Sequence, residues 1–424
     1  MLPSKIKPLE KFLSFAPPLM GEEEIAEVAD TLRSGWLTTG PKTERFELAL
    51  ADYLGSGRGV AVNSCTAALH LGLHVLGVGP GQGVLTTPLT FASTAHTVLY
   101  QQARPYFADI DPETGNLSPR EARRFLETQC APGPDGCPRH KITGDIITTL
   151  LPVHYGGHPV ELDGFWELAM DFGLNMLEDA AHAIGAAYYN GFPIGHRGLK
   201  PPEAAHLQGL TAFSFYATKN LATGEGGYLT AGDDALVERA RRLSMYGISD
   251  SRRIWGRYAP QGTWVYDVAE LGFKYNMMDI QAALGLHQLR KLPDFLARRA
   301  AHAAAYSRAL ESVRDMVILP AAKPEVIHAW HLYPLRLRPE ALTVGRDEFI
   351  EILRAHNIGT SVLFIPLHYH SYYQKALDYK DGDFPEAENF FKNLINLPVA
   401  PAHSPERVAE AADVLASLLR QYKR

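Results

Sequence analysis

The sequence predicts an α/β protein, with a large domain on a mainly parallel sheet and a smaller α+β domain at the C-terminal end. Three observations carry this expectation. Between residues 59 and 232, short apolar runs alternate with helical stretches, the pattern of strands and helices stacked in layers. Several of the runs are apolar without alternation, as strands covered on both faces are. A chain of 424 residues also exceeds what one hydrophobic core usually serves. The texture changes from about residue 275. Residues 1–270, N-terminal segment included, are therefore expected to form the large domain, and 271–424 the small one.

The elements follow in order. GEEEIAEVADTLR (21–33) has apolar positions at helical spacing, with glutamates leading where the helix dipole favours them. Strands are read at GVAVNS (59–64), GVLTTPLT (83–90), RPYFADI (104–110), DIITTLLPVHY (145–155), LNMLEDA (174–180), TAFSFYA (211–217) and GYLTAG (227–232). A long helical stretch from Asp279 to Val313 opens the second part. The run HLYPLRL, the helix RDEFIEILRAHNI, the run TSVLFI and a terminal helix SPERVAEAADVLASLLRQYK follow it. Two segments read as inserted surface loops, APGPDGCPRHKITG (131–144) and HRGLKPPEAAHLQG (196–209).

Composition excludes several function classes. The net charge of −6, without a basic cluster, argues against nucleic acid and anionic membrane as partners. No run approaches the roughly 18 apolar residues of a membrane span, and MLPSKIKPLEKFLSFAPP has no apolar core of signal-peptide length. Cys65, Cys130 and Cys137 make neither a disulfide framework nor a four-ligand zinc site. Cys130 and Cys137 share a Pro/Gly-rich loop where a pair is conceivable. Free thiols in a cytoplasmic protein are expected.

Chemistry should sit beyond the carboxyl ends of the strands, where open α/β sheets bind ligands. NSCTAALHLGL (63–73) opens an apolar helix with a polar turn, so backbone N–H groups and the hydroxyls of Ser64 and Thr66 could receive a phosphate. The same letters also make a plain N-cap. In LEDAAHAIG (177–185), Glu178 and Asp179 end an apolar strand, where a carboxylate needs a partner. A structural ion pair and a structural role for His182 are the alternatives there. AFSFYATKNLATGEGG (212–227) ends an aromatic strand in Lys219, beside Gly224, Gly226 and Gly227. A lysine in a tight, partly dry site loses its proton more easily and can form a Schiff base with an aldehyde. Alone, it reads equally as a surface lysine. Together, a phosphate turn, a buried carboxylate and a lysine match what pyridoxal phosphate needs.

At these residues the chain resembles the DegT/DnrJ/EryC1/StrS family of sugar aminotransferases, which are fold-type I pyridoxal-phosphate enzymes. The resemblance runs through SGWLTTGP (34–41), NSCTAALH (63–70), PLTFASTA (88–95), LPVHYGG (151–157), EDAAHAIGA (178–186), FSFYATKNLATGEGG (213–227), KYNMMDIQAALGL (274–286) and HAWHLYPL (328–335). Within the family it most resembles enzymes that aminate C4 of UDP-4-keto sugars, of the UDP-4-amino-4-deoxy-L-arabinose synthase type and the UDP-4-amino-4,6-dideoxy-N-acetylhexosamine type.

The resemblance implies a role for each matching residue. Lys219 is the Schiff-base lysine, and Asp179 pairs with the pyridinium nitrogen. Ser64, Thr66, Ala67 (through its N–H) and Ser214 hold the phosphate. Phe91 stacks on the ring, His182 lies beside it, and Asn276 reaches the phosphate from the neighbouring subunit of a homodimer with a shared active site. Trp36, Thr39, Tyr216, His328 and His331 are the candidate substrate contacts. Two histidines in HAWH without a carboxylate do not make a metal site. HYHSYY (368–373) could meet a sugar or diphosphate, or be ordinary surface. The expected reaction moves an amino group from L-glutamate, through pyridoxamine phosphate, to the 4-keto carbon of a nucleotide-linked sugar. Related 3-dehydratases carry histidine in place of the lysine, so Lys219 favours transamination. A non-catalytic pyridoxal-phosphate protein, a C3 aminotransferase of a dTDP-keto sugar and an amino-acid aminotransferase are the rival readings. Cys65 in the phosphate turn and the two insertions depart from the family pattern.

Overall fold

The computed structural model describes residues 6–134, 136–188, 190–249 and 266–424. The first five residues, Asp135 of the 131–144 insertion, Tyr189 and the stretch 250–265 of the expected large domain lie outside the described residues.

Each expected strand forms, at reduced length. In chain order the strands are β1 (Gly59–Val62), β2 (Gln82–Thr86), β3 (Arg104–Phe107), β4 (Cys130–Pro132), β5 (Pro138–His140), β6 (Ile146–Leu150), β7 (Asn175–Asp179), β8 (Ala187–Tyr188), β9 (Gly209–Ser214) and β10 (Gly227–Ala231). The main sheet runs β1-β10-β9-β7-β6-β2-β3. Its β9-β7-β6-β2-β3 portion is parallel, and β10 alone runs against its neighbours β9 and β1. The strand expected to reach Tyr155 stops at Leu150, two residues before Pro152, which has no N–H to give a ladder.

The 131–144 insertion is not a loop. It carries the hairpin β4–β5, which joins the sheet where Arg139 pairs with Ile146 of β6. Gly133 N donates to Cys137 O at 2.8 Å to close the hairpin. Pro132 and Pro138 face each other one step further on, where an antiparallel ladder asks for no hydrogen bond. Its prolines and glycines therefore mark an edge hairpin. None of the three cysteines is joined in a disulfide.

Among the described residues four hydrophobic clusters form, and two of them are joined by one helix. One lies against the main sheet, with Phe165, Phe213, Phe215 and Tyr228 fully buried. The other packs Val317–Ile318, Tyr333–Leu337 and Leu394–Leu397, an antiparallel three-stranded sheet, against the helices Arg346–Ala355 and Pro405–Gln421. Leu9 and Leu13 join this second core from the other end of the chain. The expected run TSVLFI makes no strand there; Ser361 alone bridges to Asn396. One helix, Asp279–Leu310, belongs to both cores. It gives Ala282, Leu286, Leu289 and Leu292 to the first, and Ala303, Tyr306 and Leu310 to the second.

Among the described residues no helix is long and apolar enough to cross a membrane.

Candidate active site

The carboxyl ends of β7 and β9 and the N-terminus of the helix Cys65–Val75 open onto one cavity of about 470 Å³. Ser64, Thr66, Phe91, Asp179, His182, Ser214, Tyr216, Lys219 and His331 of the expected set line it. Sequence-distant residues meet here because every parallel strand delivers its last residue to the same edge.

Asp179 is 3% exposed. Its Oδ2 accepts from Thr94 Oγ1 at 2.8 Å and its Oδ1 from Ala181 N at 3.1 Å. Thr94 in turn accepts from Thr90 Oγ1 at 2.7 Å, since its own proton goes to the carboxylate. Burial nevertheless pushes the Asp179 carboxyl above its usual range, against the hydrogen bonds of Thr94 and Ala181. Such a group calls for a cation beside it. Its neighbour Glu178 has the structural role left open above. Its carboxylate accepts from His154 Nε2 at 3.0 Å and from Thr211 Oγ1 at 3.0 Å, away from the cavity.

Lys219 follows the end of β9 in a turn where its N donates to Tyr216 O at 2.8 Å. Burial lowers the ammonium to about 8, although Cys65 and Asp179 pull the other way. A neutral amine is thus accessible near neutrality. The consequence is a testable pH dependence. Capture of pyridoxal phosphate by the cofactor-free protein should speed up as pH rises and level off near 8, because only the neutral amine attacks. A visible absorbance time course at each pH measures it; a rise continuing to the ordinary lysine value near 10.4 would contradict the lowered value.

The two cavity histidines are oppositely set. His182 Nδ1 accepts from Gly156 N at 3.2 Å, so its proton sits on Nε2. His331 Nδ1 lies 3.3 Å from Asn220 Oδ1, which can only accept, so its Nε2 carries the lone pair. Burial holds both well below the usual imidazole range, with Lys219 adding to the effect. Their ring centroids are 4.3 Å apart, and His182 stacks on Phe364 at 5.5 Å. Phe91, 61% exposed, reaches over the mouth.

At the phosphate end the capping alternative also holds. Ser64 is the N-cap, and its Oγ accepts from Ala67 N at 3.1 Å. The Ala67 N–H is thereby engaged, and Ala67 does not line the cavity. The N–H groups of Cys65 and Thr66, with the hydroxyls of Thr66 and Ser214, are the donors this helix end offers. Gly227 packs against it so closely that a Cβ would stand 2.5 Å from the Ser64 carbonyl carbon and oxygen. Gly227→Ala should therefore displace this helix end and cost about 1–3 kcal/mol, read as a lower Tm and weaker cofactor retention.

Trp36, Thr39 and Asn276 gather elsewhere. Trp36 Nε1 donates to Thr39 O at 3.1 Å, and Asn276 Nδ2 to Thr39 Oγ1 at 2.6 Å. They do not line this cavity. Asp279 anchors the group, accepting from Gly40 N, Lys42 N, Thr43 N and Thr43 Oγ1 at 2.7–3.0 Å. His328 also stays out, stacked on Trp330 at 4.0 Å. Among the described residues no group of three or more His, Cys, Asp or Glu could hold a metal.

Sequence reasoning missed Thr94, Asn220 and Phe364. The hydroxyls of PLTFASTA were a signal for the first, and adjacency to Lys219 for the second. Phe364 arrives from the C-terminal part of the chain, packed against the cluster of Leu89, Phe107 and Tyr155, with no local mark.

A family model of the "DegT/DnrJ/EryC1/StrS aminotransferase family" matches residues 18–416. The chain belongs to this family. As a DegT/DnrJ/EryC1/StrS aminotransferase it shares 43% identity with the spore coat polysaccharide biosynthesis protein SpsC of Bacillus subtilis, over 96% of this chain and 97% of that one. Spr1654 of Streptococcus pneumoniae, solved in PLP and PMP forms, superposes with TM-scores of 0.82 and 0.80 at 29% identity, covering 97% of this chain and 99% of that one. The sugar aminotransferase CalS13 of Micromonospora echinospora superposes at 0.78 with 27% identity, over 95% and 99%. The fold is therefore fold-type I, and pyridoxal 5′-phosphate is the cofactor of this DegT/DnrJ/EryC1/StrS enzyme. The residues fit it: a desolvated lysine, a buried carboxylate whose charged form burial penalises, and a helix N-terminus with two hydroxyls.

Proposed function

We propose that the enzyme transfers the amino group of L-glutamate to the 4-keto carbon of a nucleotide-linked deoxy sugar, UDP being the expected nucleotide. The convergence of Lys219, Asp179, His182 and His331 on one cavity carries the reading. Lys219 would hold the cofactor through its aldehyde, and its neutral amine would be placed to move the proton at the α-carbon of the donor. Asp179 would stand against the positive charge of the ring nitrogen. When bound, the cofactor supplies the electron sink for the reacting carbon. His182 offers a proton on Nε2 and His331 a lone pair, a pairing suited to sugar oxygens. No arginine lines the cavity among the described residues, which favours a keto sugar over the carboxylate clamp of an amino-acid aminotransferase. SpsC and CalS13, by their names, support a sugar acceptor.

Trp36, Thr39 and Asn276 are proposed to complete the cavity of a second copy in a homodimer. They do not line their own cavity, and Leu37 and Met278 beside them are exposed.

The test is direct. Purified holoenzyme is incubated with L-glutamate and a panel of UDP- and dTDP-linked 4-keto sugars, and the product is read by NMR. An amine at C4 of a UDP sugar is the expected result; amination at C3, or none with any sugar, overturns the assignment.

A further inference from the structure

Thr94 has no part in the chemistry proposed above, yet its hydroxyl holds the side chain of Asp179. The backbone of Asp179 is fixed by the neighbouring strands. Its N donates to Pro152 O at 2.9 Å, its O accepts from His154 N at 3.1 Å, and Ala180 N donates to Ala212 O at 2.8 Å. The carboxylate is fixed separately. Ala181 N, two residues on in the same turn, holds Oδ1 at 3.1 Å, and Thr94 Oγ1 holds Oδ2 at 2.8 Å. Among the described residues Thr94 is the one donor to Oδ2, and it comes from a different part of the chain.

The local structure keeps Thr94 in place. It stands in the first turn of the helix Ala92–Tyr100, its N on Phe91 O at 3.2 Å, so the carboxylate meets a helix end that favours negative charge. Thr90, four residues earlier, donates to Thr94 Oγ1 at 2.7 Å. The donors thus run from Thr90 through Thr94 to Asp179, the order that suits an ionised carboxylate. All three residues are buried, so little water competes for these bonds. The turn that carries them is braced from the C-terminal part of the chain. Leu367 N donates to Pro88 O at 2.8 Å, and the hydroxyl of Tyr373, in the HYHSYY motif, donates to Ala92 O at 3.3 Å.

The titratable groups that face this carboxyl are Lys219 beyond β9, His154 beyond β6 and Cys65 at the start of the helix Cys65–Val75. Burial raises the carboxyl, and of the groups that oppose burial the Thr94 hydroxyl counts for most, ahead of Ala181 N, Lys219 and His154. We infer that Thr94, backed by Thr90, is the positioning residue for Asp179, holding its carboxylate charged and turned so that the ring nitrogen of the cofactor keeps its proton. The inference rests on the pairing of Asp179 with that nitrogen proposed above. Neither threonine touches the reacting atoms; both act through Asp179.

Two measurements test it, on Thr94→Val, which removes the hydroxyl at similar shape, and Thr94→Ser, which keeps it. The holoenzymes are loaded with pyridoxal phosphate carrying nitrogen-15 in the ring, and the ring resonance is read by NMR. It moves toward the unprotonated position in Thr94→Val and in Asp179→Asn, and stays at the parent's position in Thr94→Ser. Infrared spectra of the cofactor-free proteins across pH then follow the Asp179 carboxyl, identified by subtracting the spectrum of Asp179→Asn. Its midpoint rises by about one to two pH units in Thr94→Val, the worth of a hydrogen bond to a charged group, and serine restores it. Thr90→Val shifts both readings the same way by less, and decides if Thr94→Val does not fold. An unshifted carboxyl midpoint in the valine variants, or a serine variant that behaves like valine, overturns the inference. So does a ring resonance that moves in Asp179→Asn but not in Thr94→Val. A resonance unmoved in both takes down the pairing of Asp179 with the ring nitrogen, and the inference with it, so the two failures are told apart.

Discussion

Replacing Lys219 by alanine should lower turnover by more than about 10²–10⁴-fold, the range that a positioned acid–base group supplies by itself. The same side chain binds the cofactor and moves the proton, so both functions leave together. Lys219→Arg separates charge from reactivity: it keeps the cation but has no amine to attack an aldehyde, and it should be equally inactive. The burial that lowers the lysine to about 8 is what an arginine cannot follow, because it stays charged. Rates are read as product amine per minute beside the visible spectrum. Appreciable transamination by either variant would remove Lys219 from its assigned role.

Asp179→Asn comes next in size. The amide keeps the shape, and its oxygen can still accept from Ala181 N or Thr94 Oγ1, but it carries no charge. Leaving a buried cation without its counter-ion costs about 3–5 kcal/mol, so kcat/KM should fall by roughly 10²–10³-fold or more. Stability of the cofactor-free protein should move the other way. Burial raises the Asp179 carboxyl in the folded state, so between the unfolded and folded values the native state holds more protons. Its stability therefore falls as pH rises through that window, and the penalty is fully present above it. Asparagine removes the penalty at pH 7, and the cofactor-free variant should melt no lower than the parent. A variant with normal kcat/KM, or one that melts well below the parent without cofactor, would contradict this account.

Legibility in the sequence followed the range of the interactions. Strand positions were readable because runs covered on both faces need apolar residues throughout, as in β9, where Leu210, Ala212 and Phe213 are all buried. Lys219 and Asp179 were readable because each breaks such a run with a group that burial penalises. The 131–144 hairpin was hidden, since prolines and glycines mark an edge turn and a loop alike. His328 and His331 share a motif, but only His331 lines the catalytic cavity, while His328 stacks on Trp330. The left-handed backbone of Trp330 between them, φ +46°, turns the chain in a way that spacing does not announce. Asp279 was passed over because its partners lie more than 230 residues earlier in the sequence.

The helix Asp279–Leu310 has a consequence of its own. Midway between its two sets of buried contacts stands Arg299, 3% exposed, whose Nη1 donates to the carbonyl oxygens of Trp330 and His331 at 3.2 and 3.4 Å. A single rod threaded through both cores, tied at its middle to the active-site wall, leaves no free hinge between them. The two halves should therefore unfold in one transition, which calorimetry would read as a single peak.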